Sequence, residues 1–325
     1  MNVFFKRYRE EPLDRTKARI SELTSGSIPT LSSGILIEDI QIGLCGVRRE
    51  IWNYTQTRAN NPALPLTNPL QDSLAQQLDV WKFELDKILA IINGPRNTGP
   101  FEKLMKFYLM KEDPSSDSWT APVMTRISVA IFNTTILYHL LSVHLYADIR
   151  NLWSVITGSS TLWSNYHIIS TNDAERQARV QQWAITSDSR KALLHALSIL
   201  KAYGGIKSTI RLQSDSLDPV AFMGLEASAL VVCTLLLAMG DTCLCVPGVG
   251  HVDIDTELLV VGHGPRLTEW IQDGGLIQFS GVPICNCALA TWIALFFSAL
   301  TGNGQSWEHG SRLARTLRSN MTGVK

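Results

Sequence analysis

The sequence predicts an all-α protein, a large multi-helix bundle of packed helical hairpins. Three observations carry that reading. Apolar residues recur at three- and four-residue spacing along most of the chain, which is the period of one helical face. Helix start and stop residues punctuate these stretches repeatedly. Strand-like alternation is scarce. The 325 residues are 45% hydrophobic and 18% charged, which supplies a core and is too apolar for a disordered chain.

Residues 1–34 read as a weakly ordered arm, ending in the Ser/Pro/Gly/Thr-rich run Thr24 to Gly34. Residues 35–325 read as one all-helical domain. Its first face is Ile37, Ile40, Leu44, Val47, Ile51 and Tyr54. After the turn-rich segment Asn60 to Asn68, Asn68 and Pro69 form a helix start with proline at the first helical position. The stripe that follows is Leu70, Leu74, Leu78, Trp81, Leu85, Ile88 and Ile92, and Asn93, Gly94 and Pro95 stop it. A short helix is expected over Phe101 to Met110. A polar loop, Glu112 to Ser118, then precedes the longest helical signal, Pro122 to Leu152.

Beyond the break at Gly158 to Ser160, helices are predicted over Asp173 to Ile185 and Arg190 to Tyr203. Ser187 or Ser189 caps the second, and Gly204 and Gly205 end it. Asp218 and Pro219 open an apolar helix that reaches Met239 and closes at Gly240. Thr242 to Gly264 reads as loop, with Val252, Ile254 and Leu258 to Val261 as a competing strand signal. Helices are expected near Arg266 to Gln272, Val282 to Leu300 and Gln305 to Met321.

Charge and cysteine usage narrow the function classes. The net charge is +0 and the pI about 7.0. A domain gripping nucleic acid through phosphates carries a basic excess, so this chain is not expected to bind DNA sequence-specifically by itself. Six cysteines, several inside apolar runs, suit reduced thiols packed as small hydrophobes rather than a disulfide framework. The apolar runs Leu225 to Met239 and Ala288 to Leu300 are each shorter than the roughly 20 residues that cross a bilayer. Both are read as buried core helices, and no membrane association is expected.

Each catalytic or metal motif in the sequence has a competing structural role. Gly248, Gly250, Gly262 and Gly264 lack the lysine of a phosphate-binding loop. Asp253, Asp255 and Glu257 alternate beside His251 and are the nearest thing to a carboxylate cluster for a hard cation. Their loop setting favours a solvated turn. Cys243 and Cys245, with Cys285 and Cys287, would form a zinc site with His251 or His263 only if two loops met. One intervening residue is a poor spacing for wrapping a tetrahedral ion. His139 and His144 are five apart and do not share a helical face. They and His195 read as structural. Trp119, Trp153, Trp163, Trp183, Trp270, Trp292 and Trp307 read mostly as core anchors, some of them able to line an apolar effector pocket. No catalytic, cofactor or metal residue is assigned, and no enzyme activity is expected.

One stretch carries a family likeness. Thr125 to Leu152, TRISVAIFNTTILYHLLSVHLYADIRNL, resembles the middle homology region of fungal-specific transcription factors, most closely the class with paired Cys2His2 fingers. The stretch from Ala192 carrying HALSILKAYGG is similar to that family's middle. Glu269, Trp270 and Ile271, then Gly274, Gly275 and Gly281, then Ser306 and Trp307 with Arg312, Leu313, Ala314 and Leu317 resemble its closing helices. The likeness covers roughly residues 35–322.

The resemblance implies a nuclear, helical transcription regulator, of a kind that often accompanies secondary-metabolism gene clusters. Its implied partners are other transcription proteins, a DNA-binding partner or a second copy of itself as a homodimer. No Cys2His2 or six-cysteine zinc pattern occurs in the sequence, so the implied domain comes without its DNA-reading part. The rival readings are a helical enzyme or accessory protein of a biosynthetic pathway, and a membrane-associated helical protein.

Overall fold

A computed structural model describes residues 35–60, 69–96, 98–115, 118–157, 173–209, 218–238, 252–257, 264–301, 313, 315 and 316. The protein is an all-α bundle with one small three-stranded sheet. Its described residues fall into two compact units. One lies within Met1–Tyr54 and Leu64–Thr134, the other within Thr55–Ala63 and Thr135–Lys325. The sequence offers no linker at Thr134 because the boundary falls inside a continuous helix.

In the first unit, α1 (Ile37–Asn60) and α2 (Pro69–Asn93) are long amphipathic helices. Every residue of the predicted α1 face is buried, from Ile37 to Tyr54. Asp39 Oδ2 accepts the Leu36 N–H at 2.9 Å, closing the helix entrance by half of a capping box. Gly43 lies flat against the indole of the fully buried Trp81, where no Cβ would fit. Leu70 departs from its predicted role. It is exposed, and the neighbouring Gln71 is buried instead, accepting the Tyr54 hydroxyl hydrogen bond at 3.1 Å. A polar pair at the first turn thus replaces an apolar contact.

Helix α3 (Gly99–Phe107) is shorter than expected, and Met110 beyond it is exposed. Arg126, on α4 (Thr120–Tyr146), donates to Glu112 Oε1 at 2.7 Å and to the Tyr108 carbonyl at 3.1 Å. The Arg126 hydrogen bond, aided by the Met110 N–H, holds the Glu112 carboxyl down to about 2.

The longest predicted helix is two helices. It stops at Tyr146, and after two intervening residues α5 (Ile149–Thr157) begins. Asp148 Oδ1 accepts the Asn151 N–H at 3.1 Å, the geometry of a new N-cap. The Trp183 indole, from α6 (Asp173–Ala184), donates to the Tyr146 carbonyl at 2.9 Å and satisfies the end that was cut.

Helix α7 (Ser187–Thr209) also corrects the prediction at both ends. Its cap is Thr186, whose Oγ1 accepts the Ser189 N–H at 3.3 Å. Ser189 is buried within the first turn and donates back to the Ala184 and Thr186 carbonyls at 2.9 and 2.8 Å. The helix continues through Gly204 and Gly205 because Tyr203 and Ile206 anchor it on either side. Both are buried, and the Tyr203 hydroxyl donates to the Ala299 carbonyl at 3.3 Å. Both glycines face open space. Replacing either with alanine should stabilise the protein by about 0.5–1 kcal/mol, since a mid-helix glycine costs that much in backbone freedom. A lower urea midpoint for both variants would mean that the helix ends at the glycines after all.

Helix α8 (Pro219–Ala238) is the core helix of the second unit. It packs on α5, α6, α7 and α11 (Leu289–Thr301), and every residue from Ala227 to Leu236 is buried. Asp218 Oδ1 caps it through the Val220 N–H at 2.9 Å. Helix α8 has 20 residues, longer than its apolar run, so it is not too short to cross a bilayer. By length and composition both α4 and α8 could cross a bilayer, but 72% of the apolar window of α8 is buried inside the protein.

The remaining elements surround a small sheet that sequence reading favoured as loop and helix. Strand β1 (Val252–Asp253) runs directly into the one-turn helix α9 (Ile254–Glu257). Helix α10 (Pro265–Asp273) leads to β2 (Ile277–Phe279), which pairs in parallel with β1 and antiparallel with β3 (Val282–Pro283). The hairpin turn is Ser280–Gly281, with φ of 50° and 74°, the positive pair required by the tightest hairpins. The predicted Val282 to Leu300 helix therefore begins only after β3 and the 3-10 turn Asn286–Ala288. The arm, the Asn68 cap, Met239, Gly240, Leu258 to Val261 and nearly all of the Gln305 to Met321 helix lie outside the described residues.

Candidate functional site

The alternating acids are committed to the backbone. Asp253 Oδ1 accepts the Asp255 N–H at 3.0 Å and caps α9. Asp255 Oδ2 accepts both the N–H and the hydroxyl of Ser280, at 2.6 and 2.9 Å. Ser280 is the one non-glycine residue with positive φ among the described residues, so the carboxylate steadies a strained turn. Lys201 donates to the Asp255 carbonyl at 2.9 Å and approaches its carboxylate at 3.8 Å. Both acids are half-buried rather than fully solvated. His251, His263 and the Glu257 side chain lie outside the described residues. Among the described residues, no group of three or more His, Cys, Asp or Glu is placed to hold a metal ion.

The cysteines divide by burial. Cys233 lies in the core of α8, and burial pushes its thiol up to about 12. Cys285 is buried and its neighbour-but-one Cys287 is exposed, as is Cys45 on α1. Cys243 and Cys245 lie outside the described residues. Because the thiolate is the nucleophile, iodoacetamide at neutral pH should label Cys45 and Cys287 first. Cys233 and Cys285 should be labelled only on unfolding. Peptide mass spectrometry reads this directly, and early labelling of Cys233 would contradict its place in the core.

The tryptophans are less uniformly internal than expected. Trp81, Trp270 and Trp292 are buried. Trp119, Trp153 and Trp183 are half-buried, and Trp52 is exposed. The buried indoles are polar-satisfied where the sheet is built. Trp270 donates to the Gly275 carbonyl at 3.1 Å, and Trp292 to the Pro283 carbonyl at 3.0 Å. Trp163 and Trp307 lie outside the described residues. A cavity of about 590 Å³ opens on α1 beside Glu38, Gln41, Ile42, Cys45, Gly46 and Arg49. Among the described residues no aromatic ring lines it, unlike the apolar effector pocket considered from sequence.

One cluster escaped the sequence. His139, on α4, and His195, on α7, place their Nδ1 atoms 3.0 Å apart. Tyr138 meets both rings edge-on, with centroids at 4.8 and 5.7 Å. Tyr146 lies parallel to His195 at 6.0 Å, and Lys191 Nζ sits 5.0 Å from the Tyr146 ring centre. No local signal marks this pairing, because the histidines are 56 residues apart. His144 lies elsewhere on α4, in keeping with its five-residue offset. No protein-family description, no curated protein and no solved structure matches the chain.

Proposed function

We propose that this chain is the helical regulatory domain of a transcription regulator, working in the nucleus through other transcription proteins or a DNA-binding partner. The likeness of Thr125 to Leu152 and of the closing segments to fungal-specific transcription factor domains is what carries the reading. The bundle supports it in one further respect. The acids that would serve a helical enzyme, Asp253 and Asp255, hold a cap and a hairpin turn. Control of a secondary-metabolite gene cluster is the narrower form of the proposal.

The test is transcript profiling after deletion of the gene. Coordinated loss of expression of neighbouring genes is the expected result. Loss of a single metabolic step with transcripts unchanged would replace the regulator with an enzyme. Purified alone, the chain is expected to shift no DNA sequence-selectively at moderate salt, given its zero net charge. A tight, sequence-selective gel shift would sink the need for a partner.

A further inference from the structure

We infer that His139 and His195 form a one-proton clasp between α4 and α7, a device that accepts a first proton intact and opens on the second. The geometry defines the contact. The ring centroids are 5.3 Å apart and the nitrogens 3.0 Å apart, a difference of about one ring width. The two imidazoles therefore meet head-on, each Nδ1 aimed at the other. A cation midway along that line would lie about 1.5 Å from each nitrogen, inside the 2.0–2.1 Å of a zinc–imidazole bond. A proton fits there and a metal does not.

The tautomers follow. In the neutral pair one Nδ1 must carry hydrogen and donate, while the other must be bare and accept. The acceptor ring then holds its own proton on Nε2. Adding one proton places it on the donor ring's outer nitrogen, Nε2, and leaves the Nδ1–H···Nδ1 bond in place, now charge-assisted. Adding a second must protonate the accepting Nδ1. Two N–H groups would then point at each other across 3.0 Å, and the pair must separate. The two sites titrate as a unit, not as two histidines.

The neighbours decide which charge states are tolerated. Tyr138 and Tyr146 come from α4 and flank the pair, Tyr138 in edge contact with both rings and Tyr146 parallel to His195. Lys191, next to Tyr146, carries a like charge that opposes each added proton. Asp188 on α7 is held by Arg58 at 3.3 Å. Of the helices packed on α7, α8 brings Glu226 and Cys233. The described charged residues of α6 are Glu175, Arg176 and Arg179, and those of α10 are Arg266, Glu269 and Asp273; both helices pack on α7. The clasp lies within the second unit, where Ile136 and Ile199 close on Gly224 of α8. Opening it loosens α4 from α7 beside the core helix. The sign is therefore fixed. The clasp's contribution to stability is present at neutral pH and is lost as the pH falls through the second protonation.

The experiment is nitrogen NMR of the full chain with isotope-labelled histidine, followed from pH 8 to pH 5. Two complementary tautomers are expected at high pH, with a through-hydrogen-bond coupling between the two Nδ1 nuclei. Acidification should add one proton with the coupling kept, then a second with the coupling lost and the thermal midpoint lowered. His139→Gln and His195→Gln assign the signals, and each should turn the partner's titration into a single simple step. The coupling is read on the unmodified protein, so a variant that fails to fold does not block the test. Both rings in the same Nε2–H tautomer, titrating independently and without coupling, would overturn the inference.

Discussion

Replacing Gly43 with alanine is expected to destabilise the first unit by about 1–3 kcal/mol, the usual cost of forcing a methyl group into a filled core. Helix propensity alone predicts the opposite, a gain of about 1 kcal/mol, because glycine is a poor interior residue in a 24-residue helix. Packing overrides propensity here. The new methyl would lie on Cζ2, Cε2 and Cη2 of Trp81, which is fully buried and has nowhere to retreat. A double-mutant cycle with Trp81→Leu isolates the collision. Trp81→Leu alone costs stability through lost burial, but in that background Gly43→Ala should become neutral or favourable. If alanine lowers the urea midpoint equally in both backgrounds, the indole is not what glycine accommodates. The contrast with Gly204 is the point of the experiment, since the same substitution has opposite signs at two helical sites.

Arg190→Ala is expected to cost about 2–3 kcal/mol, in the range of hydrogen bonds made by a charged group. The guanidinium joins three carbonyls from two segments. Its Nε donates to Ile271 at 2.7 Å, Nη2 to Gln272 at 2.8 Å, and Nη1 to Ile185 at 3.2 Å. The first two are end carbonyls of α10, which lack partners within their own helix and favour a nearby cation. The third belongs to the turn before α7. The path also passes Gly274, where φ is 83° and a Cβ would approach Nη1 at 3.5 Å. Arg190→Lys should recover less than half of the loss, because a single ammonium cannot span the fork. Hydrogen exchange should show faster opening of α10 and β2 in the alanine variant. Unchanged exchange there, with stability lost elsewhere, would mean that Arg190 is not the tie between these elements.

Local pattern determined much of this protein, and the reason is the strength of the helical period. The α1 face from Ile37 to Tyr54 is buried as its spacing requires, and so are Leu74, Leu78, Trp81, Leu85 and Ile88 of α2. Asp218 followed by Pro219 opens α8 at the predicted residue. These features depend on residues three or four apart, which the chain itself holds in register. The helical fold class followed from the same pattern.

Tertiary contacts decided the rest. The break after Tyr146 needs the Trp183 indole to take the orphaned carbonyl, and that donor is 37 residues away. The run of α7 through two glycines needs Tyr203 and Ile206 buried on either side. The three-stranded sheet was illegible because each strand has two or three residues, too few for an alternation to register. The roles of Asp253 and Asp255 depend on that sheet, and so was hidden with it. The His139–His195 contact is the clearest case. Each histidine lies in an ordinary helical stretch, and only the packing of α4 on α7 turns two unremarkable side chains into one proton-sharing pair.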